Sequence, residues 1–136
     1  MKQYLSILFF AILIYSCKTD DDSVNNPLPM INPPEWIKGS WVRNVDSVNT
    51  EMFVISENDV ILQRTNETTN TTISFIDSCI KNKIQLSEYT KYNTYYNLSF
   101  TNENNEVNEI YFAKIADNEI RYLTDHSPTP KTYIRE

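Results

Sequence analysis

A chain of 136 residues carrying a net charge of −6 has the length of one domain. Its sign is wrong for nucleic acid or anionic headgroups, which demand a basic footprint. A single glycine excludes a glycine-rich phosphate loop, and one histidine with two cysteines gives no clustered metal-ligand spacing.

In chain order, Lys2 supplies a minimal positive start, and Tyr4 to Ile14 form an apolar run. That run falls short of the ~20 apolar residues a membrane-spanning helix needs. It ends at Ile14-Tyr15-Ser16-Cys17, and the chain turns polar at Lys18. The pattern resembles a bacterial lipobox: an aliphatic residue three before the cysteine, a small residue just before it, then the cysteine itself. The resemblance implies that residues 1–16 are a signal peptide and that Cys17 becomes the lipidated first residue. The bland alternative is an ordinary secretory peptide with a chance cysteine near its cut site. Each acyl methylene buried in a bilayer contributes ~0.8 kcal/mol, so several chains together hold a small domain firmly. Such a chain is anchored to a membrane, not threaded through it. Loss of residues 1–16 removes one lysine and no acid, which takes the net charge from −6 to −7.

Residues 17–34 hold Asp20-Asp21-Asp22 and then Pro27, Pro29, Pro33 and Pro34, which reads as an extended acidic tether. The acidic run is similar to the export signal that sends lipoproteins of Bacteroidota to the outer face of the outer membrane. The periplasmic face is the alternative location. Next, Asn32-Pro33-Pro34-Glu35-Trp36-Ile37-Lys38-Gly39-Ser40-Trp41 predicts one helical turn that runs into the first strand. Asn32 and Glu35 have the spacing of a capping box, and Gly39 sits where the turn must stop.

From Trp41 onward the apolar pattern has period two, which predicts strands. They cover Trp41 to Asn44, Glu51 to Ser56, Val60 to Thr65 and Thr68 to Asp77. Ile80, Ile84 and Leu86 alternate with polar residues as a further strand, which would include Cys79. Tyr92 to Phe100, Val107 to Ile115 and Glu119 to Leu123 follow. Lys131 to Arg135 closes the chain after a loop holding Pro128 and Pro130. No amphipathic helix is expected after Trp41. The prediction is an all-β domain over residues 35–136: a small antiparallel up-and-down β-barrel of about eight strands, preceded by a short 3₁₀ turn. A two-sheet sandwich is the alternative, but it needs a long cross-over loop.

The turn leading into Gly39-Ser40-Trp41 resembles the G-x-W motif of lipocalins. That resemblance implies that Trp41 packs at the barrel base beside Gly39, paired with a basic side chain from near the last strand. Arg135 and Arg121 are the candidates. With the cysteine at position 17, the whole resembles the small lipocalin-like (calycin-type) lipoproteins of Bacteroidota.

No catalytic constellation appears. His126 lacks a glycine-flanked serine or an orienting acid in any recognisable context. Cys79 reads as a small buried hydrophobe, because a reactive thiol needs a cation or a base beside it. The expectation is a non-enzyme with no cofactor and no metal. One candidate binding surface remains. Tyr92, Tyr96 and Phe100, with Tyr111 and Phe112 from the neighbouring strand, could line the barrel interior and take a small apolar or sugar-like ligand. Plain core packing is the alternative. Tyr95, Tyr122 and Tyr133 are expected on the outside, where exposed tyrosines fit a surface protein or glycan partner. Two readings follow: a barrel that holds a small hydrophobic ligand, or an interaction, accessory or inhibitor protein with a filled core that uses an outer face.

Overall fold

The computed structural model describes residues 28–136. Cys17, the signal region 1–16 and most of the tether lie outside the described residues.

Two antiparallel meanders make one sheet. The first comprises β1 (Gly39–Asn44), β2 (Thr50–Ile55), β3 (Val60–Thr65) and β4 (Asn70–Ser74). The second comprises β5 (Gln85–Lys91), β6 (Tyr95–Thr101), β7 (Val107–Ala116), β8 (Glu119–Thr124) and β9 (Ser127–Arg135). β9 pairs with β1, so the sheet order is β4-β3-β2-β1-β9-β8-β7-β6-β5. The all-β, up-and-down architecture is therefore as expected, with nine strands in place of about eight. In a flat sheet β2 and β7, four strand spacings apart, would lie roughly 19 Å from each other. Instead the rings of Phe53 on β2 and Phe112 on β7 are 5.2 Å apart. The sheet curls into a barrel-like wall.

That wall is not closed. β4 and β5 are its two edges, and the helix α1 (Phe75–Asn82) joins them, packed on β3 and β4. Here the expected strand over Thr68 to Asp77 ends early, and Cys79 sits on a helix rather than a strand. The local chemistry explains why. The Ser74 hydroxyl caps the helix by accepting from the Asp77 N–H at 3.0 Å, and Lys83 stops it in the left-handed conformation. Asp59 adds a carboxylate at the positive helix end, accepting from the Ile76 N–H and the Ser74 hydroxyl. Phe75 and Cys79 stand four apart and share the inward face, a helical spacing that a run of isoleucines had disguised as period two.

With one glycine in the chain, a side-chain oxygen organises each of three hairpin turns. Asp46 Oδ1 accepts from the N–H groups of Val48 and Asn49, Asn66 Oδ1 from Thr68 and Thr69, and Asn102 Oδ1 from Asn104 and Glu106. Another correction concerns Asn32. Its N–H donates to both oxygens of Glu88 on β5, while Glu35 pairs with Lys38, so no capping box forms. The turn itself is present, closed by Ile37 N–H to the Pro34 carbonyl at 3.0 Å. Within the described part of the tether, Ile31 and Pro33 are buried and belong to the packed body.

Candidate functional site

The concave face collects the inward residue of every second position along each strand. Phe53 touches Tyr122 at 4.9 Å and Tyr133 at 5.0 Å between ring centroids, and lies edge-on to Phe75 and Phe112. Phe100 meets Phe75 at 5.8 Å, and Tyr96 stacks on Phe112 at 6.4 Å. Trp41, Phe53, Tyr96 and Phe112 are fully buried. Aromatic rings thus occupy the middle of the barrel-like wall. Tyr96 donates its hydroxyl to Glu88 at 2.8 Å, and burial together with that carboxylate pushes its ionisation far above the usual tyrosine range.

The structure brings three of the five candidate lining residues together, Tyr96, Phe100 and Phe112, and parts them from the other two. Tyr92 sits in the β5–β6 turn at a positive φ of 54° and is exposed. Tyr111 lies on the convex face, one residue out of phase with Phe112. Tyr122 and Tyr133, expected outside, belong to the inner cluster because the phase of β8 and β9 puts them beside Phe53.

At one end of the wall, the indole of Trp41 donates to the Ile37 carbonyl at 2.6 Å. The Arg135 guanidinium lies over its ring at 4.3 Å and donates to the carbonyls of Lys38 and Trp36 at 3.0 and 2.7 Å. Of the two arginines considered, Arg135 makes this contact. Gly39 has a φ of +122°, and a Cβ there would come 3.3 Å from Arg135 Nη1. The one glycine in the chain answers two demands at once.

Toward the other end, Glu51 projects inward from β2 among cations. It accepts from Arg43 at 3.0 Å, Arg64 at 3.2 Å, Lys131 at 3.4 Å and the Tyr133 hydroxyl at 2.9 Å. Burial raises the carboxyl's pKa, but the Tyr133 hydrogen bond and the charges of Lys131 and Arg64 outweigh it, so the net direction is downward. Nothing local in the sequence joins Arg43, Glu51, Arg64 and Lys131. The available signal was charge at inward positions two residues beyond Trp41 and two before Phe53.

Two hollows open on the outside. One, about 590 Å³, follows the seam between α1, β5 and the incoming segment, lined by Leu28, Met30, Cys79, Ile80, Ile84 and Leu86. Burial, then the Asp59 charge, pushes the Cys79 thiol up to about 11, so it stays protonated and unreactive at neutral pH. The other, about 520 Å³, is a polar cleft where β1 and β9 diverge. On the convex face, Tyr95 and Tyr111 lie 5.8 Å apart, and Tyr111 donates to Glu109 and Asp125. Among the described residues, no group of three or more histidine, cysteine or acidic side chains could hold a metal ion. Comparison with protein-family models, with curated proteins and with solved structures found no match.

Proposed function

We propose that this chain is a lipid-anchored, lipocalin-like lipoprotein of the outer membrane that binds through its surface and is not an enzyme. One observation carries the choice between the two readings. The centre of the barrel-like wall is filled with its own side chains, with Trp41, Phe53, Tyr96 and Phe112 sealed from solvent. A small hydrophobic ligand in that position would have to displace aromatic rings already packed edge to face, at a cost of several kcal/mol. The lipocalin resemblance is supported by the Trp41–Arg135 stack beside Gly39 and by the pairing of the first and last strands. The convex patch of Tyr89, Tyr95 and Tyr111 with Glu109 and Asp125 suits a glycan or protein partner: apolar ring faces edged by hydrogen-bond acceptors. Lipid attachment at Cys17 supplies the membrane partner.

Mass spectrometry tests both halves. Membrane-extracted protein should begin at Cys17 and carry a diacylglycerol plus an acyl group; an unmodified mass starting elsewhere ends the anchor reading. Under native conditions the protein should carry no stoichiometric apolar ligand. A retained one would return the interior to the role of binding cup.

A further inference from the structure

The segment that leads into the fold alternates. Ile31 and Pro33 are buried, while Leu28, Met30 and Asn32 are exposed. An outward position in an extended segment is ordinarily polar. Asn32 obeys that rule, and Leu28 and Met30 break it. At 69% and 79% they are the most exposed non-aromatic hydrophobic side chains among the described residues. Scattered singly, they would need no account. Both instead line the seam of about 590 Å³ between α1, β5 and the incoming segment, where Ile80 of α1, 47% exposed, joins them. Buried Cys79 and half-buried Ile84 and Leu86 continue the same lining.

Lysines edge this patch. Lys83 lines the seam and Lys81 follows Ile80 on α1, both of them exposed. The contact of Lys83 with Glu103 is 3.9 Å long between two mostly exposed groups, so its ammonium stays largely with water. Apolar side chains edged by lysines with long, pliant stems suit the boundary between lipid headgroups and acyl chains. Leu28 is also the first described residue, eleven positions after Cys17. Fully extended, eleven residues reach at most ~40 Å, so a lipid on Cys17 keeps the seam within that distance of a bilayer. Three apolar side chains are too few to hold a free protein on a membrane. On a tether they dock intramolecularly, at an effective concentration on the order of millimolar.

We propose that this seam seats the domain on a phospholipid bilayer, with Leu28, Met30 and Ile80 entering the acyl boundary and Lys81 and Lys83 meeting headgroup phosphates. The inference rests on the lipid-anchor reading above and adds an orientation to it. Gln85 of the seam pairs with Thr101, which pairs with Val107, the first residue of β7. Ile115 lies near the other end of β7, the end where Glu119 and Ile134 link the sheet to Val42 beside Trp41. That end is held away from the bilayer.

The full acylated chain is tested in vesicles of phosphatidylcholine, which is zwitterionic and does not repel an acidic protein. Flotation comes first. A chain that floats with the vesicles carries the anchor; one that does not ends the anchor reading and this proposal with it. Seating is read separately, from Met30→Trp in vesicles with and without bromine on the acyl chains. After the emission of Trp36 and Trp41 is subtracted, the new indole should shift to the blue on reconstitution. It should also lose at least about half its emission to the brominated lipid. Ile115→Trp, at a position 45% exposed, should keep its emission. Adding Leu28→Ser and Ile80→Ser to Met30→Trp should return most of the lost emission and leave flotation unchanged. If Met30→Trp misfolds, Leu28→Trp gives the same reading. Flotation without quenching of the new indole, equal quenching of Ile115→Trp, or quenching that survives the two serine substitutions would overturn the seating and leave the anchor standing. A blue shift without quenching would assign the patch to a second copy of the chain and overturn it as well.

Discussion

The two ends of the barrel-like wall handle positive charge in opposite ways. At the Trp41 end one cation, Arg135, is held by both terminal nitrogens: two backbone carbonyls accept from them and an indole face lies beneath, while its buried Nε has no hydrogen-bond partner. At the Glu51 end three cations divide a single carboxylate and remain partly open to water. The first arrangement leaves little room for a ligand, because the guanidinium is packed against buried Trp41 and the Trp36 and Lys38 carbonyls. The second has charge in surplus. A cation locked by carbonyls and a ring is structural, and cations that outnumber their partner repel one another and stay partly solvated. The Arg135 end is the fold's fastening, and the Arg43 end is a covered carboxylate shared among partly exposed cations.

The sharpest break in that comparison is Trp41→Ala. The indole is fully buried and its N–H is bonded, so its loss should cost ~3–5 kcal/mol in chemical denaturation. A loss below ~1 kcal/mol would deny the Trp41 end its fastening role. Next comes Arg135→Met, which keeps apolar bulk but leaves the Trp36 and Lys38 carbonyls short of a donor, for ~1–3 kcal/mol. Gly39→Ala should cost a similar ~1–3 kcal/mol, because alanine is strained at φ +122°. Part of that cost is the 3.3 Å approach to Arg135 Nη1. The double variant should therefore lose less than the sum of the singles, by ~0.5 kcal/mol or more. Strict additivity would show that Gly39 serves the backbone alone.

These two ends also differ in how visible they are from sequence. Gly39 and Trp41 are two residues apart, and a lone glycine beside a tryptophan announces an unusual backbone need. Arg135 was one of two candidates for the stack, since only a strand register could bring it 94 positions back to Trp41. The Glu51 cluster had no such local mark: Lys131 and Glu51 are 80 residues apart. Strand phase was the other obstacle. Period two carried Tyr96 and Phe100 inward correctly. It could not say that Tyr92 belongs to a turn, and although it puts Tyr111 and Phe112, as neighbours on one strand, on opposite faces, it could not say which of the two faces inward. α1 was hidden for a third reason. Eight residues make barely two turns, and Ile76 and Ile80 fit a strand as well as a helix. The Ser74–Asp77 cap was the readable sign.

The smallest expected effect bears on the Glu51 end and is electrostatic. Glu51 is held below the ordinary glutamate range by Tyr133, Lys131 and Arg64, which together overcome the opposing effect of burial. A carboxyl whose pKa is lower in the folded protein stabilises the fold above its unfolded value of about 4.3, and the contribution fades as pH falls through the folded value. Stability measured by denaturation should thus decline with acidification below about pH 5. Part of that slope should vanish in Glu51→Gln. Asp46 and Asp117 are lowered too, by Asn49 and by Lys114, but both persist in the variant, so the difference between the two curves isolates Glu51.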